Sequence, residues 1–292
     1  MTQAEVWTIG RLLNWTTDFL RRHGSETPRL DAEVLLAHAH GWERIQLYTH
    51  YGDIPNEDVR SRFREMIRRR AEGVPVAYLV GEREFFSLKF HVTPDVLIPR
   101  PETEFVIVTL LERVRGQDPQ KSWRICDVGT GSGVLAVCAA KHLPGCQVVA
   151  IDRSPQALVV ARQNAVRHQV ADRIQWLESD LFGEISLDMT FDFILSNPPY
   201  VSEAEYSNLS PSVRSFEPYQ ALVAGARGTE VIERLIPQAA EHLVPGGWLI
   251  FEISPMICEQ VCELMKAEPR FELGPVVRDL ARLPRVIQAR RL

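Results

Sequence analysis

Through the first 72 residues the apolar side chains recur every three to four positions, the period of a helix with one buried face. Trp7, Leu12, Leu13, Trp15, Phe19 and Leu20 predict a first helix that stops near Gly24. Leu30, Val34, Leu35 and Ala39 predict a second, ending at Gly41, and a short third piece spans 43–50. Pro55 or Asn56 starts a fourth, with Val59, Phe63, Met66 and Ile67 on one face and Arg60, Arg62, Arg64, Arg68, Arg69 and Arg70 decorating it. The segment from Gly73 to Gly81, with Pro75 inside it, breaks the helical pattern. Loose alternation through Phe85, Phe86, Leu88, Phe90 and Val92 then predicts a hairpin or extended linker. Pro99 and Pro101 bracket Arg100 and feed a helix over 103–115, whose first turn suits Pro101 and Glu102.

From there the pattern changes to short apolar runs separated by amphipathic helices. Strands are expected at 123–126, 148–151, 174–177, 191–195 and 248–253, and a terminal pair at 271–273 and 286–287. Helices are expected at 134–142, 155–168, 229–243 and 257–267, with Leu158, Ala161 and Ala165 inward on the second. Such alternation predicts an α/β fold built on a doubly wound sheet, preceded by a small all-helical domain. The expected division is 1–80 for the helical domain, 81–104 for the hairpin and linker, and 105–292 for the sheet domain. A long polar stretch, 201–225, separates strand from helix; loops of that length in a compact domain are usually functional, and this one can cover a substrate.

Composition narrows the classes. The 292 residues are 45% hydrophobic and 24% charged, ordinary for a globular protein. No run approaches the ~18 apolar residues of a membrane span, and Met1–Glu5 does not resemble the start of a signal peptide. Cys126, Cys138, Cys146, Cys258 and Cys262 are odd in number and lack zinc-ribbon spacing, which fits reduced thiols and a cytoplasmic location. No histidine lies near Cys258 and Cys262, so no metal is expected. The net charge is −5; the first 80 residues are neutral, with 11 arginines, no lysine and 11 acidic residues, so the acidic excess belongs to the remainder. A binder of bare duplex usually shows a basic excess, so nucleic acid is not the expected partner.

Two stretches carry chemistry. Asp127-Val128-Gly129-Thr130-Gly131-Ser132-Gly133 joins a predicted strand to a predicted helix. Its glycines allow a sharp turn and close approach of backbone to ligand. Gly-x-Gly-x-Gly is not the spacing that seats a pyrophosphate on a helix N-terminus, which favours an adenosine without a diphosphate. The next strand ends in Asp152, placed to hold both hydroxyls of a ribose. The second stretch, Asn197-Pro198-Pro199-Tyr200, follows the strand at 191–195. Its prolines make a stiff extended turn, so the Asn197 side chain and the Pro198 carbonyl can present two acceptors to a planar NH2 group. Tyr200 can lay its ring on that group's face.

Together these residues resemble the class I S-adenosylmethionine-dependent methyltransferases, in particular those acting on planar amino nitrogens. The resemblance implies S-adenosylmethionine as cofactor, held by Gly129, Thr130, Gly131, Ser132, Gly133 and Asp152, with Asn197 close by. It also implies that the loop after the third strand borders the adenine, where Asp180 accepts from the amino group and Leu181 packs on the ring, with core packing an equal account of Leu181 and Phe182. Two linker segments narrow the resemblance. Gly73-Val74-Pro75-Val76-Ala77-Tyr78-Leu79-Val80-Gly81 and Ile98-Pro99-Arg100-Pro101-Glu102-Thr103-Glu104 are similar to those of the protein-(glutamine-N5) methyltransferases of peptide chain release factors. This implies methylation of the glutamine of a Gly-Gly-Gln loop, with Asn197, Pro198 and Tyr200 catalytic, Pro199 and Arg100 also on the substrate, and the helical domain docking the release factor. A nucleic-acid amino-methyltransferase, glutamine methylation of a ribosomal protein, and a non-catalytic module remain as other readings. The chain departs from the family at Ser254 and Arg282, where glycine is usual.

Overall fold

The computed structural model describes residues 6–118 and 121–292, so the reading of Met1–Glu5 lies outside it. The chain forms two compact units: one runs to Gly81 and includes Pro211–Phe216, and the other holds Glu82–Ser210 and Glu217–Leu292.

The first unit is helical: α1 (Ile9–Arg22), α2 (Pro28–His40), α3 (Arg44–Thr49), α4 (Glu57–Ala71) and α5 (Val76–Val80). Local chemistry sets the ends. Thr8 caps α1 by accepting from the Arg11 amide, Asn56 caps α4 by accepting from the Val59 amide at 2.9 Å, and Gly41 closes α2 at φ 71°. Ile9, Leu13, Leu20, Leu35, Leu36, Phe63 and Ile67 form the core. Trp15 does not join them: it is 47% exposed and stacks on Phe19. The break expected over 73–81 contains a short helix, α5, because Pro75 sits at its N-cap, where no amide is needed, and Gly81 ends it at φ 75°. The arginines of α4 are mostly a solvated face paired to Glu57, Asp58, Glu65 and Glu72; Arg70 reaches inward, to buried Asp31 at 2.8 Å. The Phe216 ring faces Gly73, where an added β-carbon would come within 3.5 Å of it.

In the second unit β1 (Glu82–Phe85) and β2 (Leu88–His91) form the expected hairpin, turning through Phe86 and Ser87 at positive φ. The main sheet has the order Phe271–Leu273 (β10), Pro284–Arg291 (β12), Leu243–Glu252 (β9), Phe191–Ser196 (β6), Arg124–Val128 (β3), Gln147–Asp152 (β4), Ile174–Glu178 (β5). β9 through β5 run parallel, whereas β12 is antiparallel to both of its neighbours in this order. Val277–Arg278 (β11) adds to β12. The parallel strands are continuous apolar runs because both faces are covered, by α6 (Glu104–Val114), α7 (Val134–His142), α8 (Pro155–Arg167), α12 (Glu230–His242) and α13 (Cys258–Ala267). The chain leaves β3 toward β4 and β5, then returns to place β6 on the other side. That reversal is the topological switch point, where open α/β sheets bind ligands beyond the strands' carboxyl ends.

The stretch 201–225 is not a plain loop. It holds Val201–Ser202 (β7), Glu203–Tyr206 (α9), Pro211–Phe216 (α10), Tyr219–Leu222 (α11) and Val223–Gly225 (β8), with β7 and β8 paired in parallel. Its polarity hid this order: Ser202 and Glu205 build a reciprocal capping box at α9. At the two departures from the family pattern, Ser254 caps a 3-10 turn by accepting from the Met256 amide, and Arg282 adopts φ 64°. The second explains the usual glycine, since a side chain in that region is strained.

Candidate active site

Every main element of the site stands at a carboxyl end of the parallel sheet: Val128 of β3, Asp152 of β4, Ser196 of β6 and Glu252 of β9. A cleft over these ends is lined by Gly129, Thr130, Gly131, Ser132, Asp152, Asp180, Leu181, Asn197, Pro199 and Thr103. Gly133, Pro198, Tyr200 and Arg100 lie outside this lining.

The glycine loop is shaped by backbone. The Gly129 and Thr130 amides both donate to the Ile151 carbonyl at 2.9 Å, and Gly131 donates to Asp152 Oδ2 at 2.8 Å. Gly129, Gly131 and Gly133 have φ of 71°, 55° and 83°. A β-carbon at Gly129 or Gly131 would meet nothing within 4 Å, so these two glycines serve conformation and open onto the cleft. At Gly133 it would lie 3.1 Å from the Ala161 β-carbon, so that glycine lets α7 approach α8. Asn164, buried on α8, ties the loop down by donating to the Ser132 carbonyl at 2.8 Å and the His91 carbonyl at 2.9 Å while accepting from the His91 amide.

Two carboxylates serve this end. Asp152 also accepts from the Ser154 amide at 2.9 Å, and burial raises its pKa. Asp127 is wholly buried: Oδ2 accepts from Thr130 Oγ1 at 2.6 Å and the Ala136 amide at 2.9 Å, while Oδ1 has no partner. Burial pushes its carboxyl up to about 7. Asp180 is exposed and paired with Arg234 at 2.7 Å. Leu181 is both cleft wall and core, at φ 52°.

The Asn-Pro-Pro-Tyr turn is held by side chains. Asn197 Nδ2 donates to Thr103 Oγ1 at 3.0 Å, Thr103 Oγ1 donates to Glu252 Oε2 at 2.5 Å, and the Tyr200 hydroxyl donates to Glu252 Oε1 at 2.8 Å. Asn197 Oδ1 accepts from no described residue. Glu252 and Thr103 are each 1% exposed. Burial raises the Glu252 pKa; burial and then the Glu252 charge push the Tyr200 hydroxyl well above its ordinary range, so it stays a donor. Gly228 (φ 83°) passes close beneath: a β-carbon there would stand 2.7 Å from the Tyr200 carbonyl. Arg100 donates to Glu217 Oε1 at 2.6 Å, and the Ile98 amide donates to Glu217 Oε2 at 3.1 Å, fastening the linker to the segment after the turn. Thr103, Glu252, Asn164 and Gly228 were not singled out from sequence; Thr103 alone carried a signal, as part of the proline-bracketed segment 97–104.

Residues 11–81 match the PrmC N-terminal domain and residues 103–210 the methyltransferase small domain. The catalytic domain of hMettl16 in complex with a MAT2A 3′UTR hairpin shares the fold at TM-score 0.55 and 18% identity, over 78% of this chain and 82% of that one. A T. thermophilus 16S rRNA N2 G1207 methyltransferase in complex with AdoMet and guanosine does so at 0.52 and 20%, over 72% and 50%. Sheet order, helical layers and the matched domain define a class I methyltransferase with an added helical domain. Across nearly its whole length the chain is 48% identical to the release factor glutamine methyltransferase of Rhodopirellula baltica, covering 96% of this chain and 95% of the relative. It is 42% identical to that of Koribacter versatilis, over 97% and 99%. The chain belongs to the release factor glutamine methyltransferase family.

Proposed function

We propose that this chain transfers a methyl group from S-adenosylmethionine to the side-chain amide nitrogen (N5) of the glutamine in the Gly-Gly-Gln motif of peptide chain release factors. The observation that carries this reading is Asn197. Its Nδ2 is committed to Thr103, so its uncommitted Oδ1 is the atom left for the cleft that the glycine loop also lines. The near full-length identity to named glutamine methyltransferases supports the same substrate.

The residues present fit the cofactor. Gly129 and Gly131 leave open space above their backbone, Asp152 faces the cleft with an acceptor carboxylate, and Leu181 offers an apolar wall. When bound, S-adenosylmethionine supplies an electrophilic methyl on a sulfonium. In this reading Gly129–Ser132 and Asp152 bind its nucleoside and amino-acid portions, with Asp180 and Leu181 at the adenine, while Gly133 supports the loop by its packing on Ala161.

The harder task is the nucleophile. An amide nitrogen's lone pair is delocalised into its carbonyl. Asn197 Oδ1 and the Pro198 carbonyl accept both N–H bonds of the substrate amide and orient its nitrogen. As that nitrogen gains positive charge these hydrogen bonds strengthen, which stabilises the transition state more than the ground state, and the nitrogen then gives up one of its two protons to solvent. Tyr200, fixed by its hydroxyl, supplies a flat contact, and Pro199 stiffens the turn. Arg100, 30% exposed beyond its pairing with Glu217, meets the protein substrate at the rim. The helical unit docks the remainder of the release factor.

The test is incubation with methyl-labelled S-adenosylmethionine and, separately, a release factor, its Gln→Ala variant, a ribosomal protein and RNA. Label on the intact factor alone is expected; label on RNA would replace this reading. Docking predicts a KM for intact release factor far below that for a short Gly-Gly-Gln peptide, and equal values would remove that role. The chain acts in the cytoplasm in this reading, in keeping with a translation-factor substrate; among the described residues no helix is long and apolar enough to cross a membrane.

A further inference from the structure

We infer that Thr103 and Glu252 are positioning residues that fix which face of the Asn197 amide meets the substrate, through a hydrogen-bond chain that runs from Asn197 by way of Thr103 to the buried Glu252 carboxylate. The inference rests on the reading of Asn197 Oδ1 as the acceptor for the substrate amide.

The argument is one of donors and acceptors. An ionised carboxylate only accepts. Glu252 takes the Thr103 proton on Oε2 (2.5 Å) and the Tyr200 proton on Oε1 (2.8 Å). Having spent its single proton, Thr103 Oγ1 has only lone pairs to offer, so Asn197 must present Nδ2 to it, as it does at 3.0 Å. Oδ1 is thereby turned to the cleft. Without this constraint an Asn side chain can rotate and exchange oxygen for NH2, and an NH2 facing the substrate's own NH2 offers no acceptor. The chain joins residues 94 and 149 positions apart, and one carboxylate also secures the far end of the turn through Tyr200, 52 positions away.

The same chain has a reversed state. Protonated, Glu252 donates to Thr103 Oγ1, Thr103 donates to Asn197 Oδ1, and Nδ2 turns to the cleft. Glu252 is held by hydroxyls, not by a cation. Tyr200 touches it directly, while Glu102, which disfavours its charge, and Arg285, which favours it, act from farther off. Burial raises its pKa, so protonation sets in at a higher pH than for an exposed glutamate. Activity is then present above that pKa and is lost as pH falls through it.

Single-turnover rates at saturating cofactor test the chain, with KM and cofactor affinity measured alongside. Thr103→Val, which keeps shape and removes the hydroxyl, is expected to lower kcat by about 10–100-fold with cofactor affinity unchanged. Thr103→Ser restores the hydroxyl and recovers most of the rate. Glu252→Gln, whose amide does not titrate, loses the acidic limb of the wild-type pH profile, and the double variant loses little beyond either single one because the residues act as a unit. Wild-type rates in Thr103→Val, or a Thr103→Ser variant as impaired as Thr103→Val, would overturn the inference. The Asn197 side-chain NH2 resonances, identified by their disappearance in Asn197→Asp, give a readout free of substrate. Hydrogen exchange of these protons is slow in wild type and Thr103→Ser and fast in Thr103→Val if the chain exists, and equal in all three if it does not. A wild-type enzyme that leaves Gly-Gly-Gln substrates unlabelled would remove the substrate reading, while the exchange result still decides the chain.

Discussion

The two ends of the cleft are built by different means. The glycine loop is almost a backbone object: its amides bond to Ile151 and Asp152, and its φ values come from glycine. The Asn-Pro-Pro-Tyr turn has a fixed backbone too, but its side chains take their direction from Thr103 and Glu252. A loop that must wrap a small ligand needs shape, which neighbouring residues in sequence can supply. A group that must offer one atom and not its near twin needs polarity, which only residues from elsewhere in the fold can impose.

The sharpest way to break the comparison is at the turn. Asn197→Ala removes the acceptor and should lower single-turnover kcat by on the order of 10²–10³, comparable to losing one oxyanion-hole donor, with cofactor binding nearly unchanged. Asn197→Asp keeps an acceptor but loses the Nδ2 donation to Thr103, so it should recover only part of that rate. If Asn197→Ala keeps the wild-type single-turnover rate, the two-acceptor account fails. At the other end, Asp152→Ala should weaken S-adenosylmethionine by about 1.5–3 kcal/mol, as for hydrogen bonds to a charged acceptor. Calorimetric titration with unchanged affinity would remove Asp152 from the site.

Smaller effects separate shape from charge. Burial holds the Asp127 carboxyl at about 7, so the folded state keeps a proton that the unfolded chain releases near its ordinary value. Stability from this group is therefore greatest in acid and falls as pH rises toward 7. Both of its donors bond to the same oxygen, so Asp127→Asn can keep them and should flatten this fall in denaturant titrations across pH; an unchanged slope would acquit Asp127. Gly228→Ala places a β-carbon 2.7 Å from the Tyr200 carbonyl at φ 83°. It should cost about 1–3 kcal/mol and slow turnover together, whereas a melting temperature and kcat both equal to wild type would show that the turn yields. Arg282→Gly relieves a side chain at φ 64° and should gain up to about 1 kcal/mol without touching kcat. A loss of stability there would mean that the Arg282 side chain carries contacts of its own.

The same contrast explains what could be read from the sequence. The strand, glycine loop, helix and acid of residues 123–152 are local, and the structure has them in that order, with β3 extending through Asp127 and Val128. The terminal strands were legible as strands but not in register: 271–273 pairs with 289–291, whereas the expected 286–287 lies against β9. The stretch 201–225 was not, since its elements are only two to six residues long and are held by capping and pairing, not by apolar period. Trp15 was misplaced because helical spacing reports a face without saying whether anything covers it. Glu252 left no trace because its neighbours in sequence, Phe251 and Ile253, are plain strand residues, and its meaning comes from Thr103 and Tyr200.

The grouping of Pro211–Phe216 with the helical unit has a consequence for how such a protein can be cut and recombined. A unit assembled from two separated lengths of chain cannot be passed between relatives as a cassette. A crossover at Gly81 would import new helices while leaving behind the old Phe216, whose ring faces Gly73. Chimaeras joined at that point should lose expression yield unless residues 211–216 travel with the donor helices, and substitutions in the two lengths should compensate one another as a matched pair.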